Sequence, residues 1–245
     1  MMTVVITCEH AGRVVPEKYK PLFTDFSKLL ETHRGYDLGA YSLAQQISKE
    51  LGVTLDFQPV SRLVIDMNRS LDNPSLFSEV MKPLQLTEKQ EIIDLYYTPY
   101  REKVRQRVAQ ALHKSKKVLH LSIHSFTPVM DGKVRQVDIG LLFDPQRSDE
   151  QQFCSSLRDA LSQKSPYRVL DNEPYLGTDD GLTTTFRTLF GKRYSGIEIE
   201  VNQKFAQFER DKDGQIDRKL SKVLVDEIKN AVARFARENT AETSQ

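Results

Sequence analysis

The chain has 245 residues, enough to bury the core of one large α/β domain without stapling by disulfides. Its 35 lysines and arginines balance 34 aspartates and glutamates, and a formal charge of +1 creates no field that would attract nucleic acid or an anionic membrane. The two cysteines lie far apart, the start resembles no signal peptide, and no apolar run approaches the roughly 20 residues of a membrane span. We therefore expect one soluble cytoplasmic domain, residues 1–245, that binds a small molecule.

The N-terminal part of the chain predicts a strand followed by a helix. Thr3 to Thr7 is a β-branched run typical of a buried strand, and His10 follows its end closely. The helix is indicated by apolar residues at helical spacing, with Gly52 as its stop: Leu43, Ile47 and Leu51. Asp37 precedes this helix, where an aspartate is ordinarily a surface residue that compensates the helix dipole.

Polar residues accompany the next apolar segment, Leu55 to Asp66, which is predicted as a strand broken by Pro59. Arg62 lies within it, and Asn68 and Arg69 follow it. One interpretation is a surface hairpin with an ion pair. The other is a site for an anionic ligand, because a guanidinium donates two hydrogen bonds to a carboxylate.

A strand that ends in a histidine is predicted at Val118 to Pro128. His124 lies at its end, and ligand sites in open α/β sheets form at strand ends. A lone histidine in this position is commonly a packed structural residue. It is also a candidate metal ligand or base, and His120, four residues earlier, is expected in the core or behind the site.

The remaining segments alternate strands with helices. The predicted elements are a long helix at Thr87 to Lys116 that Pro99 kinks or splits, a turn at Asp131 to Arg135, strands at 137–144, 167–170 and 195–201, helices at Ser148 to Ser162 and Arg218 to Arg237, a loop and short helix at Gly177 to Phe190, and a frayed tail at 238–245. In the last strand Glu198 and Glu200 share one face, because side chains alternate. This order predicts a mixed, mostly parallel sheet flanked by helices.

A catalytic zinc ion takes three protein nitrogen or oxygen ligands and leaves one position for water. His10 and His124 could supply two ligands, and Glu9 or Asp37 the third. Cys8 as a nucleophile is the competing hypothesis, which we discount.

Seven segments, taken in order, resemble the motif series of the N-formylglutamate amidohydrolase family. They are C-E-H-A-G-R-V-V-P, H-R-G-Y-D-L-G-A, S-R-L-V-I-D-M-N-R-S, Y-T-P-Y-R, I-H-S-F-T-P, V-D-I-G-L-L-F-D and G-I-E-I-E-V-N-Q. The resemblance runs from the N-terminus to about residue 205. It implies a three-layer αβα fold of the phosphorylase/hydrolase-like type, which zinc carboxypeptidases and aspartoacylases share.

The resemblance also implies a zinc site for one ion. His10, Asp37 and His124 match the positions of the metal ligands, and Glu9 stays an alternative to Asp37 because it adjoins His10. Glu200 matches the general base, with Glu198 as the alternative.

Arginines and an asparagine complete the implied site. Arg62 matches a residue that polarises the scissile carbonyl, and Asn68 and Arg69 match a pair that holds the substrate carboxylate. Arg135 and Arg187 are candidates to bind a second carboxylate, the alternative being that either is an ion-pair partner.

The implied activity is hydrolysis of an acidic N-acyl amino acid such as N-formyl-L-glutamate. Family members often have arginine and aspartate where this chain has Asn202 and Lys204. This departure motivates one alternative, a binding protein that keeps the pocket without turnover. A zinc peptidase for short peptides is the other.

Overall fold

A six-stranded sheet forms the centre of the fold. The computed structural model describes residues 2–162, 167–210 and 216–241. The strands are β1 Met2–Cys8, β2 Leu55–Phe57, β3 Lys117–Phe126, β4 Val129–Met130, β5 Lys133–Val134, β6 Ile139–Leu142, β7 Val169–Asp171, β8 Tyr194–Asn202, β9 Ala206–Arg210 and β10 Ile216–Leu220. The α-helices are α1 Ser27–Leu30, α2 Ala40–Leu51, α3 Leu86–Ile92, α4 Thr98–Lys114, α5 Ser148–Ser162, α6 Leu182–Phe190 and α7 Lys222–Ala241.

The strands of the main sheet lie in the order β2-β1-β3-β8-β6-β7. Strands β2, β1, β3 and β8 are parallel, β6 is antiparallel to β8, and β7 is parallel to β6. The prediction of a mixed, mostly parallel sheet is therefore confirmed. Because β1, β3 and β8 run in the same direction, their C-terminal ends lie side by side at one edge of the sheet.

Helices cover both faces of this sheet. On one face α2, α5 and α7 contribute Leu43, Phe153 and Leu224 to a large buried cluster. On the other face α4 and α6 contribute Val104 and Phe186 to a second cluster. The three-layer αβα architecture is therefore confirmed.

The two faces of strands β3 and β8 differ in chemistry, because neighbouring side chains alternate. The first cluster receives Leu119, Leu121, Ile123, Ile197, Ile199 and Val201. The alternate residues of the two strands include His120, Ser122, His124, Glu198 and Glu200. His124 pairs with Glu200 in the register of the two strands, so the polar residues form a continuous patch on the second face.

The predicted strand at Leu55 to Asp66 is wrong after Phe57. Pro59 has no N–H to donate to a sheet, and the chain leaves the sheet there. A turn follows, in which the Val64 N–H donates to the Ser61 carbonyl. The apolar residues after Pro59 are buried in the second cluster and not in the sheet: Val60, Leu63, Val64 and Ile65.

The long helix begins and ends close to its predicted limits, and it is divided as expected for Pro99. A π-helical turn, Ile93–Tyr97, separates α3 from α4, and Pro99 lies in the first turn of α4, where its missing N–H costs nothing.

The predicted start of the last helix at Arg218 is wrong, because β10 pairs with β9 and α7 begins only at Lys222. This helix continues to Ala241, into the predicted tail, whose residues 242–245 lie outside the described ranges. Across the described residues, no helix has the length and apolar character needed to cross a membrane.

Candidate active site

A cavity of about 800 Å³ opens at the C-terminal edge of β1, β3 and β8. His10, which follows β1, and His124, near the end of β3, both line it. Asp37 reaches the same place from the segment before α2, and its N–H donates to the His10 carbonyl over 3.0 Å. The topology therefore brings together three residues that are distant in sequence.

The side chains of His10, Asp37 and His124 form a buried cluster whose ligand atoms all lie within 4.8 Å of one another. Asp37 Oδ2 lies 2.7 Å from His124 Nδ1 and 3.3 Å from His10 Nδ1. The two imidazole rings are 5.0 Å apart between centroids. The carboxylate that joins both histidines is thus that of Asp37.

Glu9 lies on the far side of His124 and does not line the cavity. It is fully buried, and its Oε2 is 3.1 Å from His124 Nε2. Ser122 donates a hydrogen bond to the same carboxylate, and the Tyr100 hydroxyl donates to Glu9 Oε1 over 2.9 Å. Glu9 therefore orients the His124 ring from behind.

Asp66 plays the equivalent part for His10. Its Oδ1 lies 2.6 Å from His10 Nε2 and accepts the backbone N–H of Asn68 at 2.9 Å. Each histidine thus has a carboxylate at Nε2 and presents Nδ1 toward Asp37. Histidines that bind metals commonly have such a carboxylate on the other ring nitrogen, which fixes the tautomer and the ring orientation.

Charges shift the pKa values of this cluster toward the ionised forms, up for the histidine and down for the aspartate. Burial lowers the pKa of His124, but hydrogen bonds to Asp37 and Glu9 outweigh it and raise that pKa well above its ordinary value. Burial raises the pKa of Asp37, but His10 and His124 outweigh it and hold that pKa far below the usual range. The cluster therefore favours a carboxylate paired with cations, and a metal cation can replace the protons.

The two glutamates of β8 have different surroundings. Glu198 accepts a hydrogen bond from Thr183 at 2.9 Å, and the Asn68 amide lies 3.5 Å away. Glu200 lines the cavity but is only 6% exposed, and within the described residues its Oε2 has no hydrogen-bond partner. Burial, reinforced by Asp37 and Glu198 against the opposing effect of His124, raises the pKa of Glu200 to about 8.

Arg62, Asn68 and Arg69 all line the cavity. Arg62 donates to Asp66 at 2.8 Å and lies 3.5 Å from an Asp37 oxygen. The Asn68 Oδ1 is occupied by the backbone N–H of Leu182, at the start of α6. These contacts place Arg62 beside the His10–Asp37 pair. The Asn68 amide nitrogen donates only one long hydrogen bond, to Glu198 at 3.5 Å, and its second N–H can bind a ligand.

Arg135 and Arg187 do not line the cavity, which disagrees with their predicted role in binding a second carboxylate. Arg187 is 7% exposed and donates to the Glu150 carboxylate and two backbone carbonyls. The guanidinium of Arg135 lies over the Tyr175 ring. Arg187 is thus an ion-pair partner, the alternative that the sequence left open, and Arg135 stacks on an aromatic ring.

The departure from the family pattern at Asn202 and Lys204 also lies outside the cavity. Asn202 is fully buried, and its amide donates to the Val137 carbonyl over 2.8 Å. Lys204 forms an ion pair with Asp138. These residues hold the end of β8, so they give no reason to expect loss of turnover.

Sequence reasoning assigns no role to Asp66, Ser122 or Tyr175, which contact or line the site. Asp66 had a usable signal, since an acidic residue directly after the apolar run Leu63, Val64 and Ile65 lies where a buried segment emerges. Ser122 alternates with His124 on the same strand face. Tyr175 follows no motif, and only the folded loop brings it to the cavity.

Comparisons with known proteins agree with this fold. The sequence model of the N-formylglutamate amidohydrolase family matches residues 2–206. The crystal structure of a gene product from Agrobacterium tumefaciens is similar, with a TM-score of 0.71 and 28% identity over 96% of this chain and 87% of that one. The structure of N-formylglutamate amidohydrolase from Ralstonia eutropha JMP134 has a TM-score of 0.71 and 20% identity, over 96% of this chain and 94% of that one, and supports the fold. No curated protein matches the sequence. Because the family match spans most of the chain, the protein belongs to the N-formylglutamate amidohydrolase family.

Proposed function

We propose that the chain is a zinc-dependent amidohydrolase that cleaves the amide bond of an N-acyl amino acid. The favoured substrate is N-formyl-L-glutamate or a similar acidic compound. The observation that carries the proposal is the buried cluster of His10, Asp37 and His124, with a carboxylate behind each ring.

The donor set fits zinc. Two imidazole nitrogens and one carboxylate oxygen are ligands that catalytic zinc sites use, and they lie on the wall of an open cavity with room for water and substrate. When bound, zinc supplies a Lewis acid and lowers the pKa of bound water to about 7. Asp66 and Glu9 hold the two histidine rings for this role.

Glu200 is the proposed general base. It faces the cavity from β8, in register with His124, and its Oε2 has no hydrogen-bond partner among the described residues. In its ionised form, which a cation bound at His10, Asp37 and His124 would favour, this carboxylate takes a proton from the attacking water. The same group then gives that proton to the leaving amine. Glu198, whose two oxygens contact Thr183 and Asn68, positions the neighbouring wall.

Arg62 and Arg69 are proposed to bind the substrate. Arg62 lies beside Asp37 at the cavity, where a guanidinium can stabilise negative charge that develops on the scissile carbonyl oxygen. Arg69 lines the cavity while one of its Nη atoms donates to the carbonyls of Asn68 and Asp180. Its remaining donors and the Asn68 amide nitrogen are proposed to bind the substrate carboxylate.

The first experiment measures zinc in the purified protein and the release of formate from N-formyl-L-glutamate. We expect zinc to copurify with the chain and formate to be released. A His10→Ala, His124→Ala double variant should lose both. If the double variant folds and still retains zinc, the proposed metal site is contradicted.

The second experiment compares Glu200→Gln with Glu198→Gln. General acid–base catalysis contributes roughly 10²–10⁴-fold, so Glu200→Gln should lower kcat by that factor while zinc content is retained. Glu198→Gln is the matched control on the same strand and should cost less than about tenfold. Equal activity of Glu200→Gln and the wild type would exclude Glu200 as the base.

A substrate series tests the breadth of the site. N-formyl-L-glutamate has only about a dozen non-hydrogen atoms, whereas cavities of roughly 300–1,000 Å³ hold drug-sized ligands. The cavity of about 800 Å³ therefore favours testing longer acyl groups and short peptides beside the formyl compound. Faster cleavage of peptides than of any N-acyl amino acid would favour the peptidase alternative.

A further inference from the structure

One wall of the cavity is a loop between β7 and α6, residues 172–181, which we term the Tyr175 loop. Its cavity-lining residues are Tyr175, Leu176, Asp179 and Asp180. It contains no regular secondary structure, so its shape depends on contacts with the surrounding protein.

Arg187 fixes the middle of the Tyr175 loop from outside the cavity. It donates to the Gly177 carbonyl at 2.5 Å and to the Gly196 carbonyl of β8 at 2.6 Å. Its Nε lies 3.1 and 3.2 Å from the two oxygens of Glu150, which is fully buried. Glu150 also accepts the Gly196 N–H at 3.0 Å, so the ion pair ties the loop directly to the central sheet.

Asn172 fixes the start of the loop. Its side-chain oxygen accepts the N–H of Gly177 at 2.9 Å and that of Phe143 at 3.0 Å. Gly177 approaches Phe143 so closely that an added Cβ would collide with the Phe143 backbone. The turn from Asn172 to Gly177 is thus pressed against the end of β6.

Asp180 fixes the other end of the loop against the substrate-binding segment. Its side chain accepts hydrogen bonds from the Ser70 N–H at 3.0 Å and from Asn73 at 2.6 Å. Its carbonyl accepts from Arg69 at 2.6 Å. The loop is therefore anchored on both sides of Tyr175.

Arg135 holds the side chain of Tyr175 itself. Its guanidinium lies 4.9 Å from the centroid of the Tyr175 ring and 5.5 Å from that of Phe126. A guanidinium over an aromatic face is attracted to it, and here the cation is held between two rings. Tyr175 is 37% exposed and faces the cavity, which leaves part of its surface open to a ligand.

We propose that Tyr175 contacts the substrate and that Arg135 and Arg187 are positioning residues, which hold Tyr175 and its loop in place without touching the substrate. This inference rests on the proposed amidohydrolase function. It replaces the expectation that these arginines bind a second carboxylate, because both of them would instead hold the Tyr175 loop.

The test is a set of double-mutant cycles read as KM and kcat for N-formyl-L-glutamate. Tyr175→Ala, Arg135→Ala and Arg187→Lys should each raise KM roughly tenfold and change kcat less than about threefold. In the Tyr175→Ala background, Arg135→Ala and Arg187→Lys should each raise KM by less than about a further twofold, because both arginines act through Tyr175. Multiplicative effects of the single variants would overturn the positioning role.

Arg147→Lys is the matched control for Arg187→Lys. Arg147 also contacts Glu150, at 3.1 Å, but its other bonds go to the carbonyls of Gly191 and Tyr194 and not to the loop. The Arg147→Lys variant should leave KM unchanged. A rise in KM equal to that of Arg187→Lys would assign the effect to Glu150 and overturn the role of the loop contact.

Asn172→Gly replaces Arg187→Lys if the latter fails to fold. Asn172 has a φ of 53°, which glycine adopts without strain, so this variant removes only the side-chain hydrogen bonds to Phe143 and Gly177. It should raise KM in the same way, again only while Tyr175 is present.

A binding measurement separates failure of this inference from failure of the proposed function. If the wild type releases no formate, the variants are compared by calorimetric Kd for N-formyl-L-glutamate, with the same expected ratios. If the wild type turns over or binds the substrate and Tyr175→Ala does so equally well, this inference alone is overturned. Absence of both turnover and binding in the wild type overturns both proposals.

Discussion

His120 makes the stability of this protein dependent on pH in a defined window. The side chain is fully buried on β3, with Nε2 2.7 Å from the Thr7 hydroxyl and Nδ1 2.6 Å from the Tyr194 hydroxyl. Burial, with smaller contributions from Arg187 and His124, lowers the pKa of His120 from 6.5 to about 4, and the charge of Glu9 does not reverse this. The ring is therefore neutral in the folded protein at neutral pH.

The sign of the effect follows from proton binding. Between pH 4 and pH 6.5 the unfolded chain binds a proton on this ring that the folded protein does not bind. The contribution of His120 is thus fully present above pH 6.5 and is lost as the pH falls toward 4. At about 1.36 kcal/mol per pKa unit, the loss from pH 7 to pH 5 is on the order of 2 kcal/mol.

Urea unfolding at pH 7 and pH 5 measures this loss in the wild type and in His120→Gln, both kept metal-free with a chelator. Glutamine does not titrate and its amide can still bond to a neighbouring hydroxyl. The wild type should lose about 2 kcal/mol more than the variant between the two pH values. His113→Gln, which removes an exposed histidine on α4, should behave as the wild type does. Equal losses in the wild type and His120→Gln would refute the reasoning.

Three further outcomes are expected. Asp66→Asn should weaken zinc binding roughly 10–100-fold in a competition titration, because the carboxylate behind His10 is lost; an unchanged affinity would contradict its role. Chelation of zinc should lower Tm, since a metal at about 1,000 times its Kd stabilises the folded state by roughly 4 kcal/mol, and an unchanged Tm would argue against the site. Ile123→Ala should lower the unfolding free energy by about 2–5 kcal/mol, because Ile123 is fully buried in the first cluster, whereas exposed Val129→Ala should change it by less than about 0.5 kcal/mol.

The regular elements were predictable where local periodicity and burial agree. Ser148 to Ser162 matches α5 at both ends, and Gly52 ends α2 with a φ of +64°. The segment Leu55 to Asp66 failed because an apolar run reports burial and not pairing. Leu63, Val64 and Ile65 are buried, but they pack in the second cluster and not within the sheet.

The site was predictable to the extent that its residues lie at the ends of strands or beside a recognisable motif. His10, Asp37 and His124 meet at the cavity, and their zinc ligation stays a prediction. Arg187 is an ion-pair partner, which was the alternative for it, and Arg135 stacks on two aromatic rings. Sequence shows a charge but not the group that the charge contacts. Glu150, the partner of Arg187, lies 37 residues away along the chain.

Among the carboxylates that line the cavity, hydrogen bonding distinguishes the candidate base. A buried polar atom is costly unless it has a partner, so folded proteins satisfy nearly all of them. At the cavity, Asp37 contacts both histidines, Asp66 accepts from Arg62, and Glu198 accepts from Thr183. Glu200 Oε2, in the described part of the chain, accepts from nothing, although the residue is only 6% exposed. Proteins retain the free-energy cost of an unpaired buried polar atom at functional sites, where a ligand or a reacting water supplies the missing hydrogen bond. Glu200 lies on the cavity wall, where such a partner would bind.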